Sequence, residues 1–294
     1  MSKYLIINAD DFGMNHSCNQ AVFELFKCGG ITSATIMAPC GWAFEAGKWA
    51  AENPEFCVGV HLTFTNEWGR YKWGPVSNEN LTSLINELGY MHSDCDDVEK
   101  NTKPDEILKE LLAQIELVEK FGVKLAHVDN HMGSLYGSCG IQSHLPIVFE
   151  VCAKRGFGFR IPKYFTPDDE GYNKYPPQII NLLCETGKMA EQAGVYVLDR
   201  MIQPVYTKEV MQSYESFRSY YIDVVYSGIK DGINENYIHP NLPEEEVKAI
   251  TGSWGMRNWE YEVHKDPKTR QHLESKGVKL ISWRDVKLLR EQGV

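Results

Sequence analysis

Two adjacent aspartates near the start of the chain are the first residues whose types and spacing suggest chemistry. In NADDFG (8–13), Asp10 and Asp11 directly follow the apolar run YLII. Adjacent carboxylates repel each other and lose hydration when they are buried, so the pair must face water or share a positive charge. A divalent cation would supply that charge, with one aspartate as its ligand and the other beside it as a base.

A histidine on a predicted strand offers a second ligand. In CVGVHLTF (57–64), every second residue is apolar, which predicts a β-strand with one apolar face. His61 lies on the other face, near the carboxyl end of the strand. A lone histidine at such a position is also compatible with a hydrogen-bonded core residue.

A third stretch brings three titratable side chains together. In AHVDNHMG (126–133), His127, Asp129 and His131 are two residues apart, so an extended backbone presents them on one side. Two imidazoles and one carboxylate with open coordination positions are typical of a hydrolytic divalent metal site. The pattern alone leaves open which of these two histidines is a ligand.

A fourth stretch, NYIHPNLP (236–243), places His239 before a proline at the end of a predicted strand. An imidazole there could protonate a leaving group. It could equally cap the strand, and the sequence alone does not separate the two roles.

Alternating strand-like and helix-like segments must position these side chains. The predicted strands are 4–9, 32–38, 57–64, 124–129, 159–161, 234–239 and the final KLISW (279–283). The predicted helices are 16–28, 42–52, 104–121, 144–155, 176–193, 208–228 and 258–276. This β-then-α order predicts an α/β fold with a parallel sheet and helices outside. About seven or eight such units favour a modified, TIM-barrel-like (β/α) barrel, and a doubly wound open sheet is the alternative.

Composition narrows the class of protein. The chain has 294 residues, of which 43% are hydrophobic, and we expect one domain over 1–294, with a long loop at about 65–103 above the barrel mouth. A net charge of −10 without a basic cluster argues against a nucleic-acid partner. No apolar run reaches the length of a membrane span, and the N-terminal apolar stretch is too short for a signal peptide. Together with eight scattered cysteines, this predicts a cytoplasmic protein.

Taken together, these stretches resemble the YdjC-like carbohydrate deacetylases, a family that includes chitooligosaccharide deacetylases. The matching motifs follow the family's order over nearly the whole chain, and they are NADDFG (8–13), GVHLTFT (59–65), HVDNHMG (127–133), GFRIP (158–162) and HP (239–240). Two neighbouring positions depart from the family pattern: Ala126 where threonine is common, and Asn241 where a small residue is common. Neither departure removes a predicted ligand.

The resemblance implies a reaction and a set of roles. The reaction is removal of the acetyl group from N-acetylated sugars, which releases acetate and an amino sugar. Asp11, His61 and His131 would hold one divalent ion, usually magnesium, while Asp10 would be the general base and His239 the general acid. The resemblance also implies a homodimer.

Further side chains have implied or possible roles around this centre. By resemblance, His127 and Asp129 would orient the ligands. Two histidines and one aspartate also suit zinc. Trp68 and Trp73 are candidates for stacking on a sugar ring, although each could instead pack within the loop. Arg160 could enter the site or hold a carboxylate in place.

Other function classes remain compatible with the same residues. A glycosidase or sugar phosphorylase would use Asp10 and Asp129 as paired carboxylates and would need no metal. A non-catalytic protein would bind sugar without turnover. Metal-dependent hydrolysis of a phosphate ester would use the same ligands, although no cluster of lysines or arginines lies in these stretches.

Overall fold

The computed structural model describes residues 2–293 and contains a parallel β-sheet surrounded by helices. Its strands are β1 (Lys3–Phe12), β2 (Ser33–Ile36), β3 (Cys57–Leu62), β4 (His127–Asn130), β5 (Gly158–Pro162), β6 (Tyr196–Leu198), β7 (Arg200–Ile202), β8 (Gly232–Ile238) and β9 (Val278–Leu280). Its α-helices are α1 (His16–Cys28), α2 (Ala43–Glu52), α3 (Cys95–Asn101), α4 (Pro104–Lys120), α5 (Leu145–Arg155), α6 (Pro177–Gln192), α7 (Tyr214–Tyr220), α8 (Glu245–Ile250), α9 (Trp254–Lys265), α10 (Pro267–Ser275) and α11 (Trp283–Glu291).

The sheet curls into a nearly closed barrel. Its strand order is β6-β5-β4-β3-β2-β1-β8-β7, and β9 pairs with the first residues of β1. Only Asp199 separates β6 from β7, so the stretch 196–202 pairs with β5 through its first half and with β8 through its second. The predicted barrel of parallel strands with helices outside is therefore confirmed over the open-sheet alternative.

Packed side chains fill the amino-terminal end of the barrel. The indole of Trp283 stacks on the imidazole of His127, with ring centroids 5.2 Å apart and an interplanar angle of 9°. Gly158 makes room for the indole, because a Cβ there would lie 2.5 Å from the Trp283 ring. This packing leaves the carboxyl ends of the strands as the end at which polar side chains can face a cavity.

Two predicted segments near the end of the chain have different boundaries. The segment 258–276 is divided into α9 and α10, because Pro267 lacks an amide hydrogen and Asp266 caps the second helix through the Lys268 amide. The final KLISW segment is a strand only as far as Leu280. Ser282 and Asp285 form a capping box that begins α11 instead.

Two other regions also differ from the predicted elements. The predicted helix at 208–228 consists of a short 3-10 turn, α7 and a π-helical turn, Tyr221–Val225. The short strands β6 and β7 were absent from the prediction, because three-residue strands are too short to show a period-two pattern. Neither difference affects the strand ends at which the motif residues lie.

The loop excursion at 65–103 contains a 3-10 turn, Thr82–Leu84, and α3 near its end. Glu110 of α4 fixes the loop by accepting hydrogen bonds from the backbone amides of Val76 and Ser77, both at 2.9 Å. That the whole chain forms one domain stays a prediction. Among residues 2–293, no helix has the length and apolar character needed to span a bilayer.

Candidate metal centre

The end of β1 is bent so that two consecutive side chains reach the same cavity. Its register with β2 shifts between Ala9 and Phe12, which leaves one extra residue on β1. Asp11 has a φ of 60°, a left-handed conformation that costs a non-glycine residue about 1–3 kcal/mol. As a result, Asp10 and Asp11 both line one cavity of about 550 Å³, although neighbours on a regular strand point to opposite sides.

Three predicted ligands meet at one point of this cavity. The Oδ1 atom of Asp11 lies 3.4 Å from Nε2 of His61 and 3.2 Å from Nδ1 of His131. The two imidazole nitrogens are 3.2 Å apart. Ligand atoms placed about 2.0–2.2 Å from one cation lie about 3.0–3.5 Å from each other. The three atoms therefore fit a single divalent ion, and the buried Oδ1 of Asp11 has no hydrogen-bond partner among the described residues.

Each histidine is oriented by a carboxylate on the far side of its ring. Nδ1 of His61 lies 2.6 Å from Asp129, and Nε2 of His131 lies 2.9 Å from Glu67. When those nitrogens donate, the opposite nitrogens carry the lone pairs that face Asp11. A carboxylate behind a histidine is the usual arrangement around a metal ligand. Asp129 was predicted for this role, whereas Glu67 was not, because it lies in an irregular loop without a motif.

An arginine from the other end of the chain holds the remaining oxygen of Asp11. The Nη1 atom of Arg257, on α9, lies 2.7 Å from Oδ2 of Asp11. Burial opposes ionisation of this carboxyl, but Arg257 and the two histidines outweigh it and hold its pKa well below the usual range. Asp11 is therefore ionised and can act as a ligand. The sequence contains no local signal for Arg257.

Asp10 lies beside the three ligand atoms and is fixed by Arg160. The guanidinium donates to both carboxylate oxygens, at 2.7 and 2.6 Å, and Asn8 donates a third hydrogen bond at 2.8 Å. Oδ2 of Asp10 is 4.0 Å from Nε2 of His61. Arg160 also contacts Asp129 at 2.7 Å. It therefore holds carboxylates in place, one of the two roles considered from the sequence.

His239 follows β8 and lines the same cavity as both aspartates. Its backbone amide donates to Oε2 of Glu260 at 2.8 Å, and its Nδ1 atom lies 3.8 Å from the same oxygen. Glu260 is buried, and Tyr206 donates to its other oxygen. A histidine beside a fixed carboxylate is well placed to hold and release a proton.

His127 lies deeper in the barrel than the ligand atoms. Burial lowers its pKa to about 3, so the ring is neutral. Its Nε2 atom is 3.4 Å from Oδ1 of Asn8, which in turn donates to Asp10. His127 therefore contacts Asp10 only indirectly, through Asn8. That His127 orients the metal ligands stays a proposal.

The two predicted tryptophans have different environments. Trp68 lines the cavity, and the guanidinium of Arg257 lies 5.8 Å from its ring centroid. Trp73 is only 4% exposed, and its indole N–H donates to the carbonyl of Thr65. It is absent from the described cavity lining. Trp73 therefore packs within the loop, which was the second interpretation considered from the sequence.

The fold and the site define a class: a parallel (β/α) barrel with a buried Asp-His-His group, able to hold a cation, at the carboxyl ends of its strands. Comparison with known proteins then places the chain. The family model described as YdjC-like protein matches residues 4–275, and the chain belongs to that family.

Curated relatives cover almost the whole chain. A carbohydrate deacetylase from Thermoanaerobacter pseudethanolicus is 25% identical over 96% of this chain and 98% of its own length. A chitooligosaccharide deacetylase from Yersinia enterocolitica is 25% identical over 97% and 100%. A solved structure from Enterococcus faecalis V583, provisionally described as a cellobiose-phosphate cleavage protein, has a TM-score of 0.76 at 24% identity and covers 97% of this chain and 99% of its own. That last likeness supports the fold.

The carboxylate behind His131 gives a testable expectation. Glu67→Gln should weaken divalent metal binding by about 10–100-fold, because the amide orients the imidazole without the negative charge. Isothermal titration calorimetry, in which the divalent metal is added to the metal-free protein, measures this change in affinity. Glu79→Gln is the matched control, since Glu79 lies in the same loop and its carboxylate pairs with Lys109 at the surface. Equal affinities for Glu67→Gln and the wild type would show that Glu67 does not support a ligand.

Metal affinity should also depend steeply on pH. Burial opposes the charged imidazoles, but Asp129 and Asp10 raise the pKa of His61 to about 10, and Glu67 and Asp11 raise that of His131 to about 9. Without a cation both rings hold protons at neutral pH, and a cation must displace them. Affinity should therefore fall as pH decreases, by up to about 100-fold per unit if two protons leave. Calorimetry in buffers of different ionisation enthalpy counts these protons, and a count of zero would contradict the assignment.

Proposed function

We propose that the protein is a metal-dependent carbohydrate deacetylase that hydrolyses the N-acetyl group of a sugar. The observation that supports this proposal most directly is the position of Asp10. Its Oδ2 atom lies 4.0 Å from Nε2 of His61, and its carboxylate is adjacent to the three converging ligand atoms. Family membership and the names of the curated relatives support the class of substrate. The expected products are acetate and an amino sugar.

The three ligand side chains, Asp11, His61 and His131, would hold the ion. A divalent ion bound there would polarise the acetamide carbonyl and would stabilise the negative charge that develops on its oxygen. Asp10 accepts a proton from the attacking water. Arg160 donates to both oxygens of that carboxylate, and Asn8 also donates to Oδ1, so Oδ2 is the oxygen that retains a lone pair for the proton.

His239 completes the reaction as a general acid. As the C–N bond breaks, its imidazolium donates a proton to the departing nitrogen, which leaves as a neutral amine. Glu260 lies beside this ring, with its Oε2 atom 3.8 Å from Nδ1, and it fixes the residue by accepting a hydrogen bond from the His239 amide. The oxygen of water ends in acetate. Both protons of that water reach solvent, one through Asp10 and one from the acetic acid, and His239 regains a proton from solvent.

Removal of the general acid should lower turnover without loss of the metal. We expect His239→Asn to reduce kcat by about 10²–10⁴-fold, because asparagine cannot donate a proton to the amine. Metal content, measured by elemental analysis, should match the wild type. His16→Asn is the control, since His16 is half-exposed and pairs with Glu45 away from the cavity. Wild-type turnover in His239→Asn would remove this residue from the mechanism.

The geometry disfavours the glycosidase alternative. Paired glycosidase carboxylates must flank the scissile bond with a sugar between them. Here Asp10 and Asp129 both contact Nη2 of Arg160, at 2.6 and 2.7 Å. A substrate therefore has no room between these two carboxylates.

An assay on simple sugars tests the proposed function. Purified protein is incubated with N-acetylated mono- and disaccharides, with and without chelator, and acetate and reducing ends are measured. Acetate release that stops with chelator and returns with metal supports a deacetylase. New reducing ends from the disaccharide, without acetate, would instead establish a glycosidase.

Several finer properties belong to the same proposal. Magnesium is favoured by the family resemblance, whereas two imidazole ligands also suit zinc. A cytoplasmic location is supported by the scattered cysteines, none of which is paired among the described residues. The homodimer is supported by the family resemblance alone. Metal analysis of the protein as purified and its mass in solution test the ion and the dimer.

A further inference from the structure

One wall of the cavity differs in chemistry from the metal end. Ile179, Leu182, Leu183 and Thr186 of α6 all line the cavity. Their spacing of three, four and seven residues places them on one face of the helix. We call this face the α6 wall. The buried residues of the helix are Ile180, Gly187 and Ala190, of which Ile180 also lines the cavity.

Core packing accounts for part of the α6 wall, because Leu183 packs against the hydrophobic core, but it does not account for Leu182. Leu182 is 57% exposed although it faces a cavity that also contains the metal ligands. Tyr175 and Met201 continue the apolar lining, and the hydroxyl of Tyr175 already donates to Gln203 at 2.9 Å. The ring of Tyr175 therefore adds apolar surface. A contiguous apolar surface inside a functional cavity is typical of a ligand-binding wall.

The charges of the cavity argue against an anionic substrate. Among the described lining residues, the arginines and lysines are Arg160 and Arg257, and carboxylates already engage both. Asp10 and Glu67 add negative charge to the same surface. A phosphate group against the α6 wall would meet no arginine or lysine among the described lining residues, because both arginines lie at the metal end, on Asp10 and Asp11.

We propose that the substrate is an uncharged N-acetylated sugar that carries an apolar group, such as an alkyl or aryl glycoside, with that group against the α6 wall. This inference rests on the proposed function, because the acetamide must sit at the metal end of the same cavity. The α6 wall and the metal end line the same cavity. We therefore infer that a substituent of the substrate, rather than a separate molecule, contacts the α6 wall. A preference of about 10–100-fold in kcat/KM is expected for a substrate whose apolar group fills such a wall.

The experiment compares three probes on the metal-loaded protein: the methyl, octyl and 6-phosphorylated methyl glycosides of N-acetylglucosamine. Wild type should prefer the octyl over the methyl glycoside and should use the phosphorylated one least. Leu182→Asn should lose most of the octyl preference, so that its kcat/KM for the octyl glycoside falls toward its value for the methyl glycoside. Leu288→Asn is the control, since Leu288 is 56% exposed on α11 and lies outside the described lining.

The outcomes separate this inference from the proposed function. Equal rates on methyl and octyl glycosides, or a preference for the phosphorylated one, would overturn the inference and leave deacetylation intact. If no probe releases acetate, the proposed function fails, and octyl glycoside binding by calorimetry still tests the wall. A change of solution mass in Leu182→Asn, without loss of octyl preference, would assign the wall to a second copy of the chain. Ile179→Thr replaces Leu182→Asn if the latter is unfolded by circular dichroism.

Discussion

Alanine at His61 or at His131 should remove both the bound metal and acetate release. Each substitution deletes one of the three proposed ligand atoms, which lie 3.2–3.4 Å apart, and we expect the remaining two not to retain a divalent ion at micromolar concentration. The loss of affinity should exceed the about 10–100-fold expected for an orienting carboxylate. Elemental analysis after dialysis measures occupancy, and the wild type should hold about one ion per chain.

An acidic cluster elsewhere provides the control for this prediction. Asp94, Asp96 and Asp97 also bring three oxygens close together, but they lie at the surface near the start of α3. Asp96→Ala should therefore keep full occupancy and full activity. Full metal occupancy in both histidine variants would show that the ion is held elsewhere.

Asp10→Asn should separate metal binding from catalysis. Asparagine has nearly the same shape but cannot accept the proton of water, so turnover should fall by about 10²–10⁴-fold while the metal remains. Asp105→Asn, in the exposed first turn of α4, serves as the control.

The adjacent aspartate should behave differently. Asp11→Asn should lose metal and activity together, because the substitution removes the negative charge that faces the two imidazoles. Metal lost from Asp10→Asn and retained in Asp11→Asn would exchange the two roles. Retained activity in both Asp10→Asn and Asp11→Asn would contradict the mechanism proposed for this pair.

Much of the barrel could be predicted because its elements carry local signals. The helix at 16–28 has the predicted bounds, since its end is set by Gly29 in the left-handed conformation. The predicted convergence of Asp11, His61 and His131 also follows from local features, because each lies at the carboxyl end of a strand in a parallel sheet. Their assignment as ligands stays a proposal.

What the sequence did not reveal is long-range or conformational. Arg257 is 246 residues from its partner Asp11, and Glu260 is 21 residues from His239. Both lie on α9, three residues apart, so one helix contacts a predicted ligand and the predicted acid. No periodic pattern distinguishes these two charges from ordinary surface charges. The left-handed backbone at Asp11 was equally hidden, because residue type alone does not specify it.

The central claim is that one ion at Asp11, His61 and His131 is required for hydrolysis of the acetamide. Its most direct test is a titration of metal-free protein with magnesium or zinc, in which acetate release from an N-acetylated disaccharide is recorded at each addition. Activity should rise from the baseline and reach a plateau at about one ion per chain. Full activity in the metal-free protein, or acetate release that does not change across the titration, would contradict the claim.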